Sequence, residues 1–320
     1  MNEMPGREPL PAPTVPDLSA DRHRELKDVF MQTIAEAPQR TAARRRWALI
    51  IAPATAVAVA VAVAAVAIGA VTLTGPKAND ASNATAPTVA SDSGDDAGPL
   101  LERIAFTAAA QPGTTVGADK FVYVHSKVAF AGQPKGRGSA RLDPVHDREI
   151  WLPQSKGVTA QFRESGKMVR IPDVTPNSAY ANLPTDPDAL LKRVYKEGKV
   201  FSKNGAGPDA NAFQYIGGAV SESLLPPQVT AALYRVAAKI PGVQRVKDSV
   251  DAAGRHGVAV GRTDQQGERH VWIFDARTFA FLGERSYLVK DMEWGKAGML
   301  TGTTAVLKRG VVDKAGQLPR

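Results

Sequence analysis

The feature that most constrains this chain is an uncharged run from Trp47 to Leu73. The run holds about 27 residues, whereas a helix needs about 20 apolar residues to cross a bilayer. Its side chains are mostly alanine and valine, so we expect insertion to be favourable by at most about 3–7 kcal/mol. Pro53 lies one turn inside the start, near the headgroups, where its missing N–H matters least. The run predicts one transmembrane helix at residues 47–73.

The charges on either side of this run predict its orientation. Arg40, Arg44, Arg45 and Arg46 precede it, whereas the other flank offers only Lys77 as a nearby basic residue. Because basic residues are retained on the cytoplasmic side, we expect a cytoplasmic N-terminus. The chain is therefore predicted to be a single-pass protein of the cell membrane with an extracytoplasmic C-terminal domain.

Three other interpretations of the run compete with a retained anchor. A cleaved secretory signal normally has an apolar core of about 7–15 residues near the N-terminus, whereas this run is longer and starts about 46 residues in. The sequence RRRWAL at residues 44–49 loosely resembles a twin-arginine export signal, and small residues at 65–70 offer a cleavage point. A buried core helix would rarely be so long and so uniformly apolar. We predict the retained anchor.

The segments around the anchor divide the chain into four parts. Residues 1–46 form a cytoplasmic arm, and residues 74–99 are rich in Ala, Ser, Thr, Asp and Gly, which is typical of a disordered linker. Within the arm, residues 19–37 carry an apolar stripe at helical spacing (Leu26, Phe30, Ile34 and Ala37). This amphipathic helix is either a juxtamembrane element or a docking site for a cytoplasmic regulator. Residues 100–320 form the extracytoplasmic domain.

Composition limits the chemistry that this outer domain can perform. The chain has no cysteine, which excludes thiol catalysis, iron–sulfur clusters, Cys-ligated zinc and a cysteine-linked lipid anchor. Residues 100–320 carry 31 basic and 21 acidic side chains, a net charge of +10. Outside the membrane, the natural polyanions are lipid headgroups and cell-wall polymers, so we expect no nucleic-acid partner. Because the basic residues are scattered rather than clustered, a solvated basic surface without a dedicated partner is the favoured explanation of this charge.

The outer domain shows both helical and strand patterns. Two-residue alternation predicts strands at residues 120–130, 149–152 and 159–164, and a later series at 243–246, 257–262, 269–275, 279–288 and 303–312. Helices are predicted at 187–197, 211–224 and 226–240, the second weakened by Gly217 and Gly218. Consecutive antiparallel strands beside a block of helices indicate an α+β fold, an antiparallel meander packed with helices.

No catalytic, cofactor-binding or metal residue can be assigned from motifs. The five histidines, His23, His125, His146, His256 and His270, show no metal-site spacing, and phosphate-loop, dinucleotide and nucleophile-elbow motifs are absent. Two carboxylate pairs, Glu149 with Glu164 and Glu284 with Glu293, could meet in space, but the sequence cannot place them at a catalytic separation. Asp186 and Asp188 are explained as helix-start residues.

Residues 267–285 (GERHVWIFDARTFAFLGER) are the richest in aromatic side chains. Alternation places Trp272 and Phe274 on one face of a strand, and Phe279 and Phe281 on one face of the next. Such a surface is either part of a packed core or the wall of an apolar pocket beneath the helices. The second alternative would suit an envelope lipid or a cell-wall fragment.

Several stretches of the chain resemble a family of uncharacterised single-pass membrane proteins from actinobacteria. The resemblance covers nearly the whole chain outside the linker and rests on residues 16–18 (PDL), 121–124 (FVYV), 183–187 (LPTDP), 226–243, 251–263 (DAAGRHGVAVGRT) and 272–275 (WIFD). Members are often encoded beside extracytoplasmic-function sigma factors, and no activity is established for them, so no functional residue carries over. The resemblance implies a role in signalling, although the chain lacks the cysteines of zinc-type anti-sigma domains. The meander with its helices also looks like the half-barrel of periplasmic lipoprotein carriers, an analogy of fold that warrants little about function.

These observations favour a membrane-anchored extracytoplasmic binding or sensory protein of unknown ligand that is not an enzyme. One alternative is an anti-sigma-like regulator that binds a sigma factor through the cytoplasmic arm. The other alternative is a cell-wall enzyme of an unfamiliar type.

Overall fold

A computed structural model of the protein describes residues 92–132 and 140–319. These residues belong to one of two compact units of the chain, Thr41–Arg320. The predicted cytoplasmic arm, the predicted transmembrane run at 47–73 and most of the predicted linker lie outside the described residues. Within residues 92–132 and 140–319, no helix is both long enough and apolar enough to cross a membrane.

The described residues form 11 strands in one antiparallel sheet. The sheet order is β1-β7-β8-β9-β10-β11-β2-β4-β5-β6, and β3 pairs with β2 beside this path. The strands are β1 (Asp92–Asp96), β2 (Phe121–Gly132), β3 (Arg141–Leu142), β4 (His146–Pro153), β5 (Ala160–Glu164), β6 (Lys167–Ile171), β7 (Val243–Val250), β8 (His256–Thr263), β9 (Glu268–Phe274), β10 (Phe281–Leu288) and β11 (Leu300–Val312).

Five α-helices accompany the sheet in this part of the chain. They are α1 (Gly98–Ala109), α2 (Asn177–Ala181), α3 (Pro187–Gly198), α4 (Pro208–Glu222) and α5 (Pro227–Ala238), and a 3-10 helix covers Lys199–Asn204. Helices α2 to α5 lie in the chain between β6 and β7. The structure therefore confirms the predicted α+β class: an antiparallel sheet, in which β7 to β11 form a meander, accompanied by a block of helices.

The start of α3 shows how the sequence sets a helix boundary. Asp186 has an extended backbone, and its Oδ1 accepts the backbone N–H of Ala189 at 2.8 Å. Pro187 occupies the first helical turn, where its missing N–H costs nothing, and Asp188 adds a negative charge there. The interpretation of Asp186 and Asp188 as helix-start residues is confirmed.

The largest hydrophobic cluster lies between the helices and one face of the sheet. The sheet contributes residues at alternate positions, including Val122 and Val124 of β2 and Trp272 and Phe274 of β9. The helices contribute fully buried residues such as Leu101, Leu190, Phe213, Ile216 and Leu233. The strand faces and helix faces that the apolar spacing in the sequence predicts to be buried are therefore the buried ones.

The opposite face of β7 to β10 carries a smaller cluster, which includes Val271, Ile273 and Leu282. The turn between β7 and β8 reaches across to β11, because the N–H of Ala252 donates to the carbonyl of Thr304 at 3.2 Å. Strands β8 and β11 are not neighbours in the sheet, so this contact requires the sheet to curl.

Several elements differ from the sequence prediction. Strand β1 and the start of α1 lie inside the interval predicted as linker, so the sheet begins before residue 100. Strand β6 was not predicted, because its residues are mostly exposed and carry no hydrophobic alternation. The strand predicted at 279–288 begins at Phe281; Phe279 has a φ of 54° and belongs to the preceding turn.

Candidate functional site

The aromatic residues of β9 and the following turn are packed against helices. The ring of Trp272 stacks on Phe213 with centroids 3.8 Å apart and planes 3° apart. Phe274 meets Tyr234 edge to face at 5.3 Å. Because Trp272 and Phe274 are only 2% and 0% exposed, their rings are part of the packed core. Of the two alternatives for residues 267–285, the structure therefore favours core over the wall of an open pocket at these rings.

The carboxylate pairs considered from the sequence do not meet. Glu149 accepts hydrogen bonds from Tyr123 Oη at 2.7 Å and from Arg163 Nη1 at 2.8 Å. Glu164 faces His146, at 2.8 Å, on the other side of the sheet. Glu284 is buried beneath the helices, whereas Glu293 is exposed. Neither pair forms a two-carboxylate site of the kind that glycoside hydrolysis uses.

Each of the four histidines among the described residues lies near a carboxylate. His125, His146 and His256 lie 2.8–2.9 Å from single carboxylates, those of Asp147, Glu164 and Asp248. These pairs are exposed or half-buried. His270 differs, because it lies near two carboxylates that are themselves buried.

The candidate site is a carboxylate–histidine cluster formed by Asp264, Glu268 and His270 at the hairpin between β8 and β9. One ligand atom from each residue lies within 4.8 Å of the others. His270 Nε2 is 3.9 Å from Asp264 Oδ2 and 4.0 Å from Glu268 Oε2. The side chains of Asp264, Glu268 and His270 are only 2%, 7% and 12% exposed. The cluster is thus a small, partly enclosed anionic site with one imidazole.

The local sequence explains why these three residues converge. Glu268 and His270 are two apart on β9 and so share a face of the sheet. Asp264 follows β8, and its Oδ1 accepts the backbone N–H groups of Gln266 and Glu268, each at 2.9 Å. This Asp-based turn, with Gly267 at a φ of 92°, reverses the chain so that the Asp264 carboxylate meets the β9 side chains.

Neighbouring residues hold the cluster in place. Thr301 Oγ1 donates to Glu268 Oε1 at 2.6 Å, and the Gln214 amide nitrogen lies 3.3 Å from His270 Nε2. Burial raises the pKa of Asp264, but His270 and the backbone N–H groups of Glu268 and Gln266 outweigh it and lower the pKa below its usual value. Asp264 therefore remains ionised near neutral pH.

A second group of buried charges lies between α4 and the sheet. Arg148 Nη1 pairs with Glu222 Oε1 at 2.9 Å, and both side chains are less than a tenth exposed. Arg309 Nη2 donates to the carbonyls of Val220 at 2.6 Å and Ser221 at 3.3 Å, at the C-terminal end of α4. A cation at this helix end complements the helix dipole. This group joins helix to sheet and forms a structural layer next to the packed core.

No motif in the sequence predicts a site residue, so the cluster is evident only in the structure. The available signal was the spacing in DQQGERH at residues 264–270, where a predicted Gln-Gln-Gly turn separates an aspartate from a Glu-x-His strand. Taken separately, each of the three residues is of a type that is common in turns or strands, so none of them alone indicates a site. Only the pairing of β8 with β9 shows that the three side chains meet.

The fold and this site together define an antiparallel-sheet α+β domain with a polar cluster on one hairpin. No known family model matches the chain, and no curated protein is detectably similar to it in sequence.

Two solved structures, both of MucB bound to MucA, match the chain with low sequence identity and low TM-scores. A structure of MucB in complex with MucA(peri) is 12% identical, covers 69% of this chain and 57% of its own, and has a TM-score of 0.24. A Pseudomonas aeruginosa MucA/MucB complex is 16% identical, covers 70% of this chain and 59% of its own, and has a TM-score of 0.26. The chain therefore spans less than two thirds of these matched chains. At these scores the likeness assigns neither a shared topology nor a function.

Proposed function

We propose that the chain is a membrane-anchored extracytoplasmic binding protein that acts by contacting another protein, without catalysis. The proposed anchor is the uncharged run at 47–73, and the basic residues Arg44, Arg45 and Arg46 before it support a cytoplasmic N-terminus. The domain that follows would then be displayed outside the membrane. A role in signalling is compatible with this arrangement.

The observation that carries the binding role is the edge strand β6. It is the last strand of the described sheet and pairs with β5. Four of its five residues are exposed, and they include Met168 at 44% and Val169 at 51%. An exposed edge offers backbone N–H and C=O groups to an incoming strand, and exposed apolar side chains give it further contact area.

The charges on β6 indicate what kind of strand it would accept. Lys167 and Arg170 lie on this edge, and the domain as a whole is basic. Two copies of β6 would place like charges near each other, which disfavours self-pairing. We infer that the occupant is an extended acidic segment of a different protein, added to the sheet as a further strand.

Site-specific photo-crosslinking tests this proposal. A photoreactive amino acid at Val169 of the full-length chain, expressed in its own cells, should yield one discrete crosslinked protein. The matched control is Val289, which is 42% exposed but lies after β10, away from the edge. Equal crosslinking from both positions, or none from Val169, would contradict binding at β6.

The apolar stripe in the cytoplasmic arm supports a second candidate, an anti-sigma-like regulator. Residues 19–37 lie outside the described residues, so this candidate rests on the spacing of Leu26, Phe30, Ile34 and Ala37 alone. Deleting residues 1–38 while keeping the anchor should then change the transcripts that depend on the partner sigma factor. An unchanged transcript profile would remove this candidate and leave the binding role at β6 untouched.

A further inference from the structure

We propose that Asp264, Glu268 and His270 bind one divalent transition-metal ion, of which Zn²⁺ is the representative. The inference is independent of the β6 binding role, since the two features lie on different strands. It rests on the convergence of two carboxylates and one imidazole on a single point within the hairpin of β8 and β9.

The separations in the cluster suit a shared ion better than direct hydrogen bonds. The distances of 3.9 Å and 4.0 Å from His270 Nε2 to the two carboxylates exceed hydrogen-bond length. Because the ligand atoms all lie within 4.8 Å of one another, an ion in their plane and equidistant from them would lie at most about 2.5 Å from each, against about 2.0–2.2 Å for zinc. A contraction of a few tenths of an ångström, which side-chain rotation can supply, would complete the coordination.

The donor set indicates the class of ion. An imidazole suits Zn²⁺ and neighbouring first-row metals, whereas Ca²⁺ and Mg²⁺ prefer oxygen ligands alone. The site has three protein ligands, which leaves a fourth position for water or another side chain. Gln214 lies next to the cluster, with its amide nitrogen 3.3 Å from His270 Nε2. Half a turn of this amide would present its Oε1 as a fourth ligand.

A metal site also needs surrounding groups that orient its ligands, and this cluster has them. Thr301 fixes Glu268 through its Oε1, and two backbone N–H groups fix Asp264 through its Oδ1. In each case the bonded oxygen is the one other than the oxygen nearest His270. Each carboxylate thus uses one oxygen in these hydrogen bonds, and its other oxygen lies 3.9 Å (Asp264) or 4.0 Å (Glu268) from His270 Nε2.

The turn of the hairpin that carries the cluster is held by hydrogen bonds with two other segments of the chain. The N–H of Gln265 donates to the carbonyl of Ala206 at 3.1 Å, and the N–H of Val289 donates to the carbonyl of Gly267 at 2.8 Å. Gly205 and Gly207, with φ of 71° and 89°, allow the loop before α4 to approach the turn closely. A ligand set on a fixed hairpin loses little conformational entropy when an ion binds.

The competing explanation is an ion-free network, in which the imidazole and the two carboxylates face one another without any metal. The two explanations differ in what His270→Gln does to metal content. If the cluster is an ion-free network, the purified protein shows only weak, nonspecific Zn²⁺ binding that His270→Gln leaves unchanged. If it is a metal site, one ion is bound per chain and is lost with the imidazole.

The experiment uses the full-length chain purified in detergent, stripped with a chelator and dialysed against ZnCl₂ alone, with metal content and affinity measured. The test variants are Asp264→Asn, Glu268→Gln and His270→Gln. Asn and Gln keep the acceptor oxygens that hold the turn and Thr301, so these variants should stay folded. The matched control is His256→Gln, which removes an exposed imidazole 2.8 Å from the carboxylate of Asp248.

We expect one Zn²⁺ per wild-type chain, an affinity at least about 10-fold weaker in each test variant, and no change in the control. Saturating Zn²⁺ should raise the Tm of the wild type by about 5–10 °C, with no rise for His270→Gln. The proposal is overturned by substoichiometric binding to the wild type, by equal affinity in His270→Gln, or by an equal loss in His256→Gln. Chelator-resistant binding that is unchanged in all variants would also overturn it.

Discussion

Gly217 of α4 lies directly over Glu284 of β10, so that a β-carbon on Gly217 would be 2.6 Å from Glu284 Oε1. The same added atom would be 2.6 Å from Trp272 Nε1. The glycine therefore sets how closely the helix approaches the sheet. This close approach allows Phe213, one turn earlier in α4, to stack on Trp272.

Replacing Gly217 by alanine is expected to destabilise the domain. Alanine favours the helix by about 1 kcal/mol, but the clash with Glu284 and Trp272 forces α4 outward. We expect the free energy of unfolding to fall by about 1–3 kcal/mol, measured by urea denaturation. Glu284→Ala should cost less in the Gly217→Ala background than in the wild type. Additive costs in this double-mutant cycle would show that the two residues are not coupled.

Glu284 should make stability fall as pH rises. Burial, and secondarily the negative charge of Glu222, raise the pKa of Glu284 well above its usual value. The native state therefore holds a proton that the unfolded chain releases above about pH 4.3. Stability from this group is lost as pH rises from the unfolded pKa toward the folded one, by up to about 1.4 kcal/mol per pH unit.

Glu284→Gln, which is neutral at every pH, should flatten this dependence and raise Tm at neutral and alkaline pH. The measurement is Tm against pH from 4 to 9 for the wild type and the variant. Exposed Glu293→Gln serves as the control and should leave the slope unchanged. A wild-type slope that survives Glu284→Gln would place the responsible group elsewhere.

Removing only the arginine of the Arg148–Glu222 pair is predicted to lower the free energy of unfolding more than removing both charges. Arg148→Met leaves Glu222 buried and without its cation, which we expect to cost about 3–5 kcal/mol. The double variant Arg148→Met, Glu222→Gln should recover much of that loss, because it removes the buried charge. Arg163→Met is the comparison: its pair with Glu149 is partly exposed, so its loss should cost about 1 kcal/mol or less. Equal costs for the two arginines would contradict this account.

The parts of the fold that could be predicted from the sequence are those with strong local periodicity. The meander from β7 to β11 shows two-residue alternation, and α5 shows an apolar stripe that Pro241 and Gly242 end. The alternation also predicts that Trp272 and Phe274 share one face of the strand, and their common place in the largest hydrophobic cluster confirms this prediction.

The parts that could not be predicted depend on contacts between distant segments. The sequence predicts that Gly217 weakens a helix, whereas in the structure the close approach of α4 to β10 requires a glycine at this position. A glutamate such as Glu284 is expected on a surface, and its burial follows only from the placement of α4 on the sheet. The Asp264, Glu268 and His270 cluster likewise requires the pairing of β8 with β9. Local patterns therefore predicted elements, whereas buried charges and the candidate site required the tertiary structure.

The most direct test of the central claim, an anchored domain outside the membrane, uses single cysteines. The chain has no native cysteine, so Leu318→Cys, at a position 61% exposed, and Ser19→Cys each introduce one thiol. Intact cells are treated with a membrane-impermeant maleimide, and lysed cells serve as the reference. We predict labelling of Leu318→Cys in intact cells and of Ser19→Cys only after lysis. Labelling of Leu318→Cys only after lysis would contradict an extracytoplasmic domain.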